Sequence, residues 1–377
     1  MTISKDNFSG PHQSVESHED VKIGDIFDSK YQIIDKLGAG NVGMVFRAKH
    51  LILDKFVAIK VLMDLNGIEN SDTNNSTRST LMRFQREAKA AANLNHPNVI
   101  TIHDFGIFKD SIPYMVMDLI EGETLSSYMK RNALPIHEAL SILNQICDAL
   151  MHAHGKNVMH RDLKPGNIMI VNENGQKRAI LLDFGLAKFI AGDNIAISVP
   201  GEALGTPAYM SPEQARGFTV DHRSDFYSLG CIIYEMFCGQ PPLIGKTAIE
   251  TIMNRLSATK PDLSHTVFNQ YPQIRLLLER LLDKDPENRP DSASDIKDYL
   301  TGSIKQSKNI AGKTTPELIA LSQVQSAQDN LKTVVSTHQE PVKMANIQKT
   351  NRGRILILTL LAIAVLGIAI YILTHLS

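Results

Sequence analysis

The hydrophobic pattern of this chain changes character near its first third. From Tyr31 to Val61 the periodicity is that of strands broken by glycines: Tyr31–Leu37 alternates, Gly38–Gly43 turns, Val45–Ala48 returns and Val57–Val61 is a short β-rich run. Asp64–Thr80 is polar, rich in Asn and Ser, and reads as an exposed loop. Leu81, Phe84, Ala88, Ala91 and Leu94 then recur at helical spacing, and two further strands follow near Val99–Phe105 and Pro113–Asp118. This predicts a small β-rich lobe of five strands and one helix. After Asp118 the pattern is mainly helical. Ile136, Leu140, Leu143, Cys147, Leu150 and His154 step by three and four along an amphipathic helix, and Arg223–Cys238 is apolar enough for a central buried one. Ile168–Val171 and Ala179–Leu182 flank Asn174-Gly175, which reads as a hairpin turn. Ile274–Leu282 and Ser292–Leu300 are amphipathic. The expectation is an α+β fold of two unequal lobes, with the cleft between them as the default binding site.

The ends depart from this pattern. Met1–Lys30 carries three Lys against six Asp plus Glu, has no apolar run of a secretory signal, and reads as a polar tail. Thr301–Arg354 carries eight Lys plus Arg against three Asp plus Glu and reads as a basic, solvated linker. Ile355–Leu373 then has no charge at all. As a helix it would extend about 28 Å, close to the ~30 Å hydrocarbon core, so it reads as a single membrane span. Arg352 and Arg354 just before it place the bulk of the chain in the cytoplasm, with Thr374–Ser377 as a short external tail.

Composition narrows the classes further. The 377 residues are 43% hydrophobic and 21% charged, which excludes a fully disordered, collagen-like or polytopic membrane chain. With 39 basic and 40 acidic residues, no global basic field argues for nucleic acid. Cys147, Cys231 and Cys238 form no Cys-x-x-Cys and read as free thiols of a reducing compartment.

Four stretches carry candidate chemistry. Gly38-Ala39-Gly40-Asn41-Val42-Gly43-Met44-Val45 joins two strands, which suits a hairpin lid over phosphates better than a dinucleotide turn opening a helix. Lys60 puts a cation inside the apolar run Val57-Ala58-Ile59-Lys60 and needs an anionic partner; Glu87 on the following helix is the natural one. In His160-Arg161-Asp162-Leu163-Lys164-Pro165-Gly166-Asn167, Asp162 could take a hydroxyl proton, Lys164 could neutralise a transferring phosphoryl group and Asn167 could ligate a metal. Asp183-Phe184-Gly185 supplies a second carboxylate after a strand, and oxygen ligands of this kind suit Mg²⁺.

In this order and spacing the motifs resemble those of protein kinases, over roughly Tyr31–Leu300. The pattern is most similar to the bacterial Ser/Thr kinases of eukaryotic-like type. The resemblance implies a bilobal kinase domain over 31–300, with lobes at 31–117 and 118–300. ATP would lie against Leu37, Gly38, Ala39, Gly40, Asn41, Val42, Gly43, Val45 and Ala58, and Lys60 would bind its phosphates and pair with Glu87. Met117 would border the adenine, with Asp118 and Leu119 offering backbone hydrogen bonds. Asp162 would be the catalytic base with Lys164 beside it, and Asn167 and Asp183 would hold Mg²⁺. The Lys164 pattern and Gly205-Thr206-Pro207-Ala208-Tyr209 resemble Ser/Thr-specific members, with Thr206 contacting Asp162 and Lys164. Glu213 would pair with Arg289, and Asp225 would brace the catalytic loop.

The resemblance further implies a membrane-anchored kinase of protein Ser/Thr hydroxyls, active in signal transduction. Its tether suits phosphorylation between neighbouring copies. Ser198 is the only hydroxyl residue between Leu186 and Gly205, so it is the expected autophosphorylation site, with Thr206 the alternative and Arg161 the phosphate's partner. Ser211-Pro212-Glu213 departs slightly from the usual Ala-Pro-Glu. A catalytically silent scaffold would be marked by loss of Lys60, Glu87, Asp162, Asn167 or Asp183, and all five are present. Gly245-Lys246-Thr247 lacks the rest of a phosphate-binding P-loop, and His152 and His154 lack the spacing of a zinc helix.

Overall fold

The computed structural model describes residues 21–40, 43–62, 74–109, 112–131, 134–184, 207–257 and 260–311. The small lobe is one antiparallel sheet of β1 (Ile26–Phe27), β2 (Tyr31–Gly40), β3 (Gly43–His50), β4 (Lys55–Leu62), β5 (Ile102–Phe108) and β6 (Ile112–Asp118), in spatial order β1-β2-β3-β4-β6-β5. It therefore has six strands rather than five. The extra one lies in the stretch read as a tail. Phe27 is fully buried, stacked on Phe108 at 4.0 Å between ring centroids and edge-on to Tyr114 at 4.9 Å. A single aromatic anchor in a polar stretch leaves no periodicity to read, yet rings of this size bury enough apolar surface to hold a short strand.

Strand alternation decides which way Lys60 points. Val57, Ile59 and Val61 of β4 pack into one apolar cluster with Phe46 and Val116, whereas Ala58 and Leu62 join another with Met115, Met117 and Ile180. Lys60 shares the second face, which looks toward the cleft. The helix α1 (Asn74–Ala92) covers that face through Phe84 and Ala88. It starts within the stretch read as a loop. Asn, Ser and Thr there are weak helix formers, but no Gly or Pro interrupts 74–92, so the helix propagates back from its apolar half.

The large lobe is built on α3 (Ile136–His154) and α5 (Arg223–Cys238), with α2 (Leu125–Arg131), α4 (Pro212–Ala215), α6 (Ala248–Leu256), α7 (Thr266–Gln270), α8 (Pro272–Leu281) and α9 (Ala293–Ala311) around them. Leu140, Leu143, Cys147 and Leu150 of α3 are fully buried, and α5 is buried continuously from Ser224 to Ile233. A second sheet of β7 (Glu123–Thr124), β8 (Ile168–Glu173) and β9 (Gln176–Leu181) lies at the cleft. Its hairpin turns at Asn174 and Gly175 with φ of 52° and 84°, the paired left-handed geometry expected of Asn-Gly.

Helix α9 runs to Ala311, past the Leu300 boundary, and Ser303 is fully buried, so the solvated linker does not begin at Thr301. Cys147 and Cys231 are buried free thiols and Cys238 is half-buried. Among the described residues no helix is long and apolar enough to cross a membrane; the expected span at 355–373, the rest of the linker and residues 1–20 lie outside them.

Candidate active site

Residues from both lobes meet at Lys60. Its side chain is 9% exposed, and its Nζ lies 2.7 Å from Asp183 Oδ2, which follows β9. The sequence expectation paired Lys60 with Glu87. Instead, Glu87 Oε2 lies 3.9 Å from Arg161 Nη1, and Arg86 also reaches its Oε1. Two cations and two carboxylates admit either pairing without a net charge change, so residue identity alone cannot choose between them. Asp183 and Arg161 also share a backbone feature. Both are non-glycine residues in the left-handed region, with φ of 60° and 66°. Such conformations persist where surrounding contacts over-determine them, as at functional sites.

Those contacts are visible. Leu182 N–H donates to the Asn167 carbonyl at 2.9 Å, which sets Asn167 beside the start of the Asp183 segment. The side-chain amide of Asn167 donates to the Asp162 carbonyl (2.8 Å) and to Asp162 Oδ2 (3.0 Å), and Lys164 Nζ reaches the same Oδ2 at 2.7 Å. Two donors thus fix the Asp162 carboxylate through one oxygen, and among the described residues Oδ1 accepts no hydrogen bond. Because the Asn167 nitrogen is committed to Asp162, its oxygen is the atom available to a cation. Asp183 likewise gives Oδ2 to Lys60 and keeps Oδ1. Two hard oxygen donors, with remaining positions for water and phosphate, fit Mg²⁺.

From below, Asp225 of α5 braces this loop. Its Oδ2 accepts from His160 N–H (2.8 Å) and from His154 Nε2–H (2.8 Å), and its Oδ1 accepts from Arg161 N–H (2.7 Å). Burial pushes this carboxyl up, but the hydrogen bond and charge of His154 and the His160 contacts outweigh it and hold Asp225 below the usual carboxylate range. The His160 ring is fully buried 4.7 Å from Phe184, and burial lowers its pKa, so it packs as a neutral ring. Asp225→Ala would leave the buried His160 N–H and the part-buried Arg161 N–H without acceptors, at up to about 1–3 kcal/mol each. The expected outcome is a lower melting temperature together with faster hydrogen exchange at His160 and Arg161.

The cleft also offers an apolar slot. Val45, Ala58, Met117 and Leu119 from the small lobe and hinge share one cluster with Met169 and Leu182 from the large lobe. Asp118 N–H donates to the Thr101 carbonyl at 3.1 Å, so that donor is already used and does not face a ligand. The Asp118 carboxylate pairs with His103 at 2.7 Å. Leu37, Gly38 and Ala39 lie exposed along β2 toward the turn, with Gly40 at its end. At Gly43 only glycine fits: φ is 146° and a Cβ would lie 2.0 Å from the Val61 carbonyl oxygen. Asn41 and Val42, and Gly185, Ser198 and Thr206 with the contacts expected of them, lie outside the described residues.

The segment after 206 is tied to the same loop. Ser211 caps α4, its hydroxyl accepting from Gln214 N–H (3.4 Å) while Gln214 Oε1 accepts from Ser211 N–H (3.0 Å), a capping box that accounts for Ser at this position. Gln214 Nε2 then donates to the Arg161 carbonyl at 2.8 Å. Sequence reasoning overlooked Gln214, although Ser-x-x-Gln was legible as a capping signature. It also read His154 only as a step in the helical period of α3, not as a partner of Asp225. Arg289 grips Glu213 with two bonds of 2.7 and 2.9 Å, and Ser224 Oγ donates to the same carboxylate.

A family model described as the protein kinase domain matches residues 31–300. The chain is 38% identical over 298 residues to Serine/threonine-protein kinase pkn3 of Myxococcus xanthus, covering 77% of this chain and 53% of that protein. It is 36% identical to Serine/threonine-protein kinase PknB of Mycobacterium leprae (71% and 42% covered) and 35% identical to Serine/threonine-protein kinase PrkC of Bacillus subtilis (73% and 40%). The chain thus spans about half the length, or less, of these curated relatives.

Proposed function

We propose, from the premise that the chain belongs to the protein kinase family, that it transfers the γ-phosphoryl group of ATP to serine and threonine hydroxyls of proteins, with Mg²⁺ as the metal. The observation that carries this reading is the convergence of Lys60 and Asp183, 2.7 Å apart, with the Asp162–Lys164–Asn167 cluster at one cleft. The apolar slot takes the adenine. Lys60 offers its charge to the phosphates, and the Asn167 and Asp183 oxygens hold the metal, which neutralises phosphate charge when bound. Asp162 Oδ1 takes the proton as the acceptor oxygen bonds to the γ-phosphorus and the bond to the ADP oxygen breaks. Lys164, held at Asp162, stabilises the charge on the transferring group.

The same reading places residues 355–373 across a bilayer, with the catalytic domain on the cytoplasmic side. Neighbouring copies then phosphorylate one another, at Ser198 before Thr206, and act in signal transduction. Exchange of Lys60 from Asp183 to the phosphates is part of binding.

The test is transfer of label from γ-labelled ATP by the full chain with Mg²⁺, followed by phosphoamino-acid analysis. Lys60→Met and Asp183→Asn should each lower transfer at least about a hundredfold, since each removes a charge aimed at the phosphates or metal. Label on tyrosine alone, or equal labelling by both variants, contradicts the assignment. Recovery of the chain in a membrane fraction that resists high salt and alkaline carbonate checks the anchor.

A further inference from the structure

Arg255, in the last turn of α6, is a buried cation with an unusual set of partners. It is 2% exposed, and no carboxylate among the described residues lies within ion-pair distance of it. Its Nη1 donates to the Tyr227 hydroxyl (3.0 Å) and to Cys231 Sγ (3.4 Å), and its Nη2 donates to the Pro242 carbonyl (3.3 Å) and to the Ala208 carbonyl. Burial raises the pKa of both the Tyr227 hydroxyl and the Cys231 thiol, so neither supplies a counter-charge at neutral pH. The Tyr227 ring also faces Arg289, whose guanidinium is 5.0 Å from the ring centroid against 5.5 Å for Arg255.

An unpaired buried guanidinium is costly, and an apolar side chain would fill the same space without that cost. What the guanidinium alone supplies is a planar fork of donors that can hold four acceptors at once. Those acceptors come from two turns of α5, from the chain after α5, and from the short turn Pro207–Tyr209. That last turn is also anchored by Tyr209 Oη to Glu235 (2.6 Å) and by Ser228 Oγ to the Tyr209 carbonyl (2.8 Å). Through α4, Gln214 links it to the carbonyl of Arg161, the residue before Asp162. Arg255 therefore holds from behind a turn that continues through α4 to the loop carrying Asp162.

We propose that Arg255 is a positioning residue for protein substrate: it fixes the Pro207–Tyr209 turn, against which the peptide carrying the acceptor hydroxyl lies as that hydroxyl reaches Asp162. This rests on the kinase reading. Arg255 touches neither the apolar slot nor Lys60 and Asp183, so its influence falls on peptide and not on nucleotide. Together with Pro212, Tyr227 and Leu243 it also lines a cavity of about 890 Å³, partly open to solvent.

The experiment compares steady-state transfer to a Ser/Thr peptide by the full chain and by Arg255→Lys and Arg255→Met. Lys keeps the charge and part of the donor set; Met keeps the bulk and none of it. The peptide KM is expected to rise about threefold for Lys and at least about tenfold for Met, with the ATP KM unchanged, as expected for losing some or all of a set of hydrogen bonds. A purely structural role would lower the melting temperature and leave both KM values alone below it. Unchanged peptide KM in folded Arg255→Lys, or peptide and ATP KM rising together, overturns the proposal. If Arg255→Met does not fold, Arg255→Lys decides. Absence of any transfer by the unaltered chain would instead remove the kinase reading. The positioning claim is then read by hydrogen exchange over 207–215: faster in Arg255→Lys supports it, and unchanged exchange refutes it.

Discussion

Replacing Asp162 with Asn is expected to slow phosphoryl transfer by about 10²–10⁴-fold, the usual contribution of a positioned general base. The substitution preserves shape, and the amide oxygen can still accept from Lys164 and Asn167, which hold Asp162 Oδ2 at 2.7 and 3.0 Å. What it removes is the ability to accept a proton and the negative charge beside Lys164. Nucleotide affinity should persist, because Asp162 touches neither Lys60 nor the apolar slot. The discriminating measurement pairs single-turnover transfer with calorimetric binding of a non-hydrolysable ATP analogue. Transfer within threefold of the parent chain, or lost binding, would show that Asp162 is not the base.

The second large effect is on stability. Glu213 and Arg289 are almost fully buried and share two hydrogen bonds, and Ser224 adds a third to the same carboxylate. Removing one partner strands the other charge, so Glu213→Ala should cost about 3–5 kcal/mol. For a domain of this size that lowers the melting temperature by roughly 10 °C. Burial pushes Glu213 up, but the hydrogen bonds and charge of Arg289 win and hold it below the usual carboxylate range. Its contribution is therefore complete above the unfolded value of about 4 and is lost as pH falls through the lower folded value. Denaturant titrations at stepped pH should show Glu213→Gln less stable at neutrality and less sensitive to acidification below about pH 4. A melting temperature within about 2 °C of the parent would refute the assignment.

Much of this architecture was legible beforehand because its causes are local. Helix α3 covers the full range its apolar spacing predicted, and the Asn-Gly turn of β8–β9 follows from backbone preferences alone. Misses occurred where local signals were weak or absent. Phe27 is a lone anchor, the first turns of α1 are polar, and α9 continues past the point where composition shifts. The site divides in the same way. The Glu213–Arg289 pair and the Asp225 brace followed from the family resemblance, and both are present. Gln214 was signposted by its capping box. Arg255 was not signposted at all, since nothing in its own segment reveals that α6 buries it against Ala208.

By itself, then, the sequence determined the two lobes, the helices α3, α5 and α8, the β8–β9 hairpin and the set of residue types gathered at one cleft, because periodicity, turn chemistry and motif spacing act within short stretches of chain. Only the tertiary structure decided the partners of Lys60, Glu87 and Arg255. Lys60 meets Asp183, Glu87 faces Arg161, and Arg255 has backbone carbonyls in place of a carboxylate. Coulombic attraction depends on the distance between groups remote in sequence, and several pairings satisfy the same charges. Packing selects among them.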